Sequence, residues 1–192
     1  MAMRSLIYLA LAAIMLGQTM PPALADGSAA RQTVIEDFTM HPETHWRFFT
    51  DQVMGGVSTG SVVFDQEDGI AFARMTGRVS TANRGGFIQM RLDLAGPPPD
   101  GTTGVRLMVR GNDQRYFVHL RTGGTLLPWQ YYQVGFEVTE SWSDVRLPLD
   151  AFSASGALLR TVPKPGSLTS VAVVAYGRDH DAQIDVREIG FY

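Results

Sequence analysis

The stretch Trp46-Arg-Phe-Phe-Thr-Asp-Gln-Val-Met-Gly-Gly-Val-Ser-Thr-Gly60, answered by Asn83-Arg-Gly-Gly-Phe87, decides how the rest of the chain is read. Paired glycines flanked by Asp, Ser, Asn and Arg suit backbone that turns at positive φ or passes close to other backbone. The chain between and after them reads as alternating strand, so the pairs are expected to be shaped turns or bulges on a β scaffold rather than flexible linkers.

Working outward, period-two alternation recurs and no segment carries a helical period longer than about two turns. Ile88, Met90 and Leu92 oppose Phe87, Gln89 and Arg91; Val105, Leu107 and Val109 oppose Arg106, Met108 and Arg110. Tyr116, Val118 and Leu120 oppose Phe117, His119 and Arg121, and Tyr132, Val134, Phe136 and Val138 oppose Tyr131, Gln133 and Glu137. Val145, Leu147 and Leu149 complete a further strand. Turn chemistry separates these runs at Glu67-Asp-Gly69, Gly96 to Gly101, Gly111-Asn-Asp113, Gly123-Gly124 and Pro163 to Gly166. Short strands at this spacing predict an all-β, two-sheet antiparallel sandwich or jelly roll. Near the end, Ile184 and Val186 share one phase and Ile189 and Phe191 the other; a bulge near Arg187-Glu188 would return both pairs to the core.

The set Trp46, Asp51, Val53, Met54, Gly55, Gly56, Ser58 and Gly60, then Asn83, Gly85, Gly86, Phe87 and Arg91, resembles the complex I intermediate-associated protein 30 family. The resemblance extends from about Val34 to Tyr192 through Arg110-Gly111, Tyr116, Tyr132-Gln133, Trp142, Leu147-Pro-Leu149 and Phe152. It implies a galactose-binding-like jelly roll related to carbohydrate-binding modules. It further implies a non-enzymatic assembly factor or chaperone whose protein partners are intermediates of respiratory NADH:ubiquinone oxidoreductase.

The first residues read as a separate object. Arg4 supplies the one positive charge of a short n-region, Leu6 to Leu16 is an apolar run too short to anchor in a bilayer, and Ala23-Leu-Ala25 offers a cleavage site. Residues 1–25 are expected to be a secretory signal helix cleaved after Ala25. Residues 26–33 are then a disordered lead-in and 34–192 a single β-sandwich domain, exported to the periplasm or secreted, with no stable membrane anchor. An exported protein departs from the partner that the resemblance implies, because the peripheral arm of a bacterial complex I assembles on the other side of the membrane.

Composition narrows the chemistry. The formal charge is −3 and Lys164 is the only lysine, so a phosphate-backbone binder is not expected. Without cysteine, thiol catalysis and Cys-based metal sites are excluded. His41 and His45 stand four apart, but Pro42 argues for a turn and no third ligand has motif spacing, so no metal is expected there. Gly56-Val-Ser58-Thr-Gly60 spells a nucleophile elbow, yet strand rather than helix follows; it also lacks the lysine of a phosphate loop. Asp179, Asp181 and Asp185 form a loose acidic cluster, read as a solvated loop in preference to a calcium site. No catalytic residue and no cofactor are assigned.

One pattern leans toward recognition. The outward phases of the middle strands collect Gln89, Arg91, Arg106, Arg110, Phe117, His119, Arg121, Tyr131 and Gln133, with Trp129 at a strand approach. Rings, guanidiniums and amides together suit a polar protein surface or a glycan. The expectation is one exposed sheet face of this composition, binding a protein partner or, alternatively, a carbohydrate. The competing account is that an N-terminal arm covers the face.

Overall fold

A computed structural model describes residues 32–192; the expected signal segment and most of the expected lead-in lie outside the described residues. The strands are β1 (Thr33–Glu36), β2 (Trp46–Thr50), β3 (Thr59–Glu67), β4 (Ile70–Val79), β5 (Phe87–Asp93) and β6 (Gly104–Gly111), followed by β7 (Arg115–Thr122), β8 (Tyr132–Glu137), β9 (Ser143–Pro148), β10 (Ser153–Ala154), β11 (Leu168–Tyr176) and β12 (His180–Phe191). They form two antiparallel six-stranded sheets. The first runs β3, β4, β12, β6, β9, with β1 beside β12, and the second runs β10, β8, β7, β11, β5, β2. This is the two-sheet sandwich that the alternation predicts, and β1 begins at Thr33, one residue ahead of the expected boundary.

The alternating residues do what their phases dictate. Val105, Leu107 and Val109 of β6 and Ile184, Val186, Ile189 and Phe191 of β12 face Ile88, Met90, Tyr116, Val118, Leu120, Val171 and Val173 across the core, each at most 2% exposed. In β12 the pairing register with β6 slips between Val186 and Glu188, which is the bulge expected from its broken phase. Tyr116 is buried whole, and its hydroxyl donates to Asn112 Oδ1 (2.7 Å) while accepting from the Gln183 amide (2.8 Å). Burial pushes that phenol up to about 12. The β3–β4 hairpin closes through Asp68 (φ 52°) and Gly69 (φ 79°), the successive positive φ values of a type I′ turn.

The N-terminal strand is tied to the core by Glu36. Its carboxylate accepts from the Phe38 amide (2.6 Å) and Trp46 Nε1 (2.8 Å) and contacts His45 Nε2 (2.6 Å). Trp46 is 4% exposed and packs on Phe38 with ring centroids 5.5 Å apart. Among the described residues β1 lies in the first sheet, so this arm does not cover the outward side of the second.

Candidate functional site

The paired glycines meet at Asp51. This carboxylate is fully buried; Oδ1 accepts from the Ser58 amide (2.9 Å), and Oδ2 from Ser58 Oγ (2.5 Å), the Gly86 amide (2.5 Å) and the Phe87 amide (3.3 Å). Burial pushes its pKa up, but the hydrogen bonds outweigh burial and hold it below the usual carboxylate value. Each glycine pair divides the labour. Gly55 (φ 90°) and Gly86 (φ 127°) take left-handed backbone, whereas a Cβ on Gly56 or Gly85 would fall within 2.3 Å of the Asp51 carboxyl group. Gly60 is excluded from carrying a side chain by the Thr76 carbonyl, 2.5 Å from where its Cβ would lie. Asn83 belongs to the same corner through its backbone (φ 56°), and its side chain takes no part in the Asp51 network. Trp46 and Ser58 are buried; Val53 and Met54 are 75% and 63% exposed. Ser58 therefore serves architecture, because its hydroxyl is sealed in and donates to a buried carboxylate.

The single face expected from the strand phases is in fact two faces on opposite sides of the sandwich. Arg106 and Arg110 lie on β6, on the outward side of the first sheet, where acids surround them. Arg106 pairs with Asp144 (2.9 Å) and Glu188, and Arg110 with Asp185 (2.9 Å) and Glu67 (2.6 Å). Asp185, 3% exposed, also holds Arg74 through both oxygens. Arg74 and Arg110 stack on Phe72, and Arg110 and Arg187 on Trp142. This side is closed on itself. The expected acidic cluster is dispersed likewise, since Asp179 accepts from the Thr81 amide and hydroxyl while Asp185 serves the arginines. No group of three or more His, Asp or Glu side chains converges as a metal site among the described residues.

The remaining candidates lie together on the outward side of the second sheet, and the strand registers arrange them in rows. One row reads Arg47, Arg91, Ala172, His119, Gln133 and Ser153 across β2, β5, β11, β7, β8 and β10. The row on one side of it contains Asp93, Ser170 and Arg121; the row on the other contains Phe49, Gln89, Val174, Phe117 and Gly135, with Phe87 and Tyr176 beyond. The central strand β11 presents the short side chains Ser170, Ala172 and Val174, all buried beneath their taller neighbours, and ends on the ring of Tyr176.

Correcting the expectation of an exposed histidine, His119 is 9% exposed. Its ring stacks on Tyr131 (4.1 Å, 9° between planes) and meets Tyr176 edge-on at 5.6 Å, and Phe117 meets Tyr176 edge-on at 5.8 Å. Burial lowers its pKa to about 4 and outweighs the Gln133 side chain, which lies near enough to raise it but is not aligned for a hydrogen bond, so the imidazole is neutral at pH 7. Burial first, and then the Tyr176 hydroxyl 3.4 Å away, raise the Tyr131 phenol. Trp129 stands 63% exposed on the loop leading into β8.

The row through Ala172 contains three buried polar atoms that have no hydrogen-bond partner among the described residues: Arg91 Nε, His119 Nε2 and Gln133 Oε1. Arg91 Nε is 3.3 Å from Asp93 Oδ1, close enough for ion pairing but not aligned to donate. Buried polar groups in folded proteins almost always have partners, and leaving one without costs about 1–3 kcal/mol. Three in one row, beside half-buried rings, leave hydrogen-bonding capacity unused on this face. Arg47, Phe49 and Tyr176 belong to this face and were not among the sequence candidates. Their signal is the outward phase of Arg47 and Phe49 against Trp46 and Phe48, and the run Ser170 to Ala175, apolar on both phases as in a strand covered on both sides.

Comparison with known proteins agrees with this architecture. The sequence matches the family described as Complex I intermediate-associated protein 30 over residues 37–177. No curated protein matches the sequence. Among solved structures, the fold is similar to the family 11 carbohydrate-binding module of a Clostridium thermocellum cellulosomal cellulase, with a TM-score of 0.68 and 11% identity over 85% of this chain and 95% of that one. The same module in complex with a β-1,3-1,4-mixed-linked tetrasaccharide gives a TM-score of 0.67 and 10% identity, covering 83% and 94%. A family 30 carbohydrate-binding module of a Clostridium thermocellum cellulosomal cellulase gives 0.52 and 12%, covering 71% and 90%.

Proposed function

The chain belongs to the complex I intermediate-associated protein 30 family, and on that footing we propose that it is a non-enzymatic binding module that holds a glycan on the outward face of its second sheet. The observation that carries this reading is the row of unpartnered polar atoms at Arg91, His119 and Gln133, bordered by the rings of Phe49, Phe117, Tyr131 and Tyr176. Rings stack on the apolar faces of sugars, and a neutral imidazole beside an amide offers both hydrogen-bond senses to hydroxyl groups. A module that binds a mixed-linked tetrasaccharide shares the fold, which supports a glycan over other ligands of similar polarity. Affinity electrophoresis through gels containing single glycans tests the reading. Retardation by at least one glycan is expected, and Trp129→Ala or Phe117→Ala should abolish it while leaving the circular dichroism spectrum intact. Unretarded migration through every glycan would overturn it.

A second reading takes the family description at its word and places a protein partner on the outside of the Asp51 corner. What favours it is the exposed apolar trio Val53, Met54 and Val57, held outward on a rigid buried base. The compartment separates the two readings. We propose that the chain is exported, on the strength of the signal pattern in residues 1–25. A mature N-terminus at or near Asp26 in the exported fraction supports the glycan reading, whereas an intact cytoplasmic chain that co-purifies with complex I intermediates supports the protein partner.

A further inference from the structure

The glycan-binding face is electrically lopsided. Its outward side gathers Arg47, Arg91 and Arg121 at one end with Asp93 as the single carboxylate among them, although the chain as a whole is acidic at −3. Asp93 pairs with Arg47 and stands 3.3 Å from Arg91. Among the described residues Arg121 meets no acid; its guanidinium donates to the main-chain carbonyls of Thr125 (3.2 Å) and Leu127 (2.9 Å), which fix its position without neutralising its charge. At the far end of the face the contrast is complete, since Arg115 faces Glu137 and the intervening side chains are Phe49, Phe87, Phe117 and Tyr176. The polarity therefore runs from cationic through neutral hydrogen-bonding to aromatic along a single face.

We propose that this end selects an acidic saccharide, with its carboxylate or sulfate received between Arg91 and Arg121 and its hydroxyl groups meeting His119 and Gln133. The inference rests on the glycan reading above and sharpens it. Arg91 and Arg121 rise from strands on either side of β11 in adjacent rows, roughly 12 Å apart by two strand spacings and a two-residue offset, with only Ser170 and Ala172 between them. Arginine side chains span that gap, and the short floor leaves room for the anion. Burial and then the fields of Arg47 and Arg121 lower the Arg91 pKa, as expected where positive charge gathers without enough counter-charge. A neutral sugar would leave that excess in place, whereas an anionic one neutralises it in a half-buried setting where charge-assisted bonds are strongest.

The test is titration of the exported protein with polygalacturonate, a sulfated galactan and mixed-linked β-glucan, each at low and physiological salt. An acidic glycan should bind most tightly and weaken as salt rises, and Arg121→Gln or Arg91→Gln should weaken it by at least about tenfold. Arg91→Lys should retain part of the binding. Asp93→Asn should strengthen it, a gain that a merely structural Asp93 would not produce and that does not depend on the arginine variants folding. Which acidic glycan binds tells carboxylate from sulfate. Binding of the neutral glucan alone, insensitive to salt and to the arginines, would overturn this inference and leave the glycan reading standing; binding of none of the three would overturn this inference, and the glycan reading falls with it only if every other glycan also fails to retard the protein.

Discussion

Asp51 shows how much depends on where one carboxylate sits. Four hydrogen bonds converge on it from Ser58, Gly86 and Phe87, and the missing side chains of Gly56 and Gly85 leave the space it fills. The two glycines of each pair should therefore fail differently. Gly56→Ala forces a methyl group into the carboxylate and should cost about 2 kcal/mol or more. Gly55→Ala only strains a left-handed backbone and should cost about 1 kcal/mol. Gly96→Ala, with nothing near its Cβ, should stay within about 0.5 kcal/mol of the parent. Urea unfolding of the three variants checks the ranking, and equal losses at positions 55, 56 and 96 would contradict it. His119 offers a second measurement. Its folded pKa of about 4 lies below the ordinary 6.5, so the unfolded chain takes up a proton that the folded chain refuses. The stability it contributes is full above pH 6.5 and is lost as pH falls toward 4; between pH 7 and pH 5 the loss is about 2 kcal/mol. Unfolding curves of the parent and His119→Gln at both values should show that decline in the parent and its absence in the variant.

Among the elements, β12 holds the most exacting design. Its bulge lets one strand put Ile184 and Val186, then Ile189 and Phe191, into the same core, and it turns Arg187 onto the ring of Trp142 at 4.8 Å. Removing the residue should be tolerated, because it supplies the bulge and nothing else to the core. Deletion of Arg187 closes the bulge and leaves Ile184, Val186, Ile189 and Phe191 on one strict alternation, so the chain should still fold, and Arg187→Ala should cost about 1 kcal/mol or less. Loss of soluble expression or of a cooperative melt for the deletion would refute this. The bulge was legible because a broken phase is a local signal. The membership of each sheet was not. Arg91 of β5 and Arg110 of β6 carry the same outward phase, yet β5 pairs with β2 and β11 and β6 with β9 and β12. Alternation says inside or outside, whereas the choice of sheet is made by contacts far apart in sequence. For the same reason His119 reads as exposed from its own strand and is buried by Tyr131 and Tyr176, side chains that lie 12 and 57 positions further along.

Among the described residues the two sides of the sandwich differ in how their polar groups are paired. On the first sheet every candidate arginine meets an acid and one buried polar atom, His180 Nε2, lacks a partner, whereas on the second three such atoms stand in one row. The sandwich keeps these sides apart with a core between them, and the place where the described chain starts belongs to the first sheet. Thr33 pairs with Phe191, and Tyr192 is bonded through its main chain to Gly104. The described residues thus almost close a loop, with its seam turned away from the outward face of the second sheet. A circular permutant that joins Tyr192 to Thr33 through a short glycine bridge and opens between Asp68 and Gly69 should melt close to the parent and bind as it does. A tether fixed at Tyr192 likewise leaves the proposed recognition surface pointing outward, so the domain can be displayed on a bead or a larger scaffold in a single useful orientation.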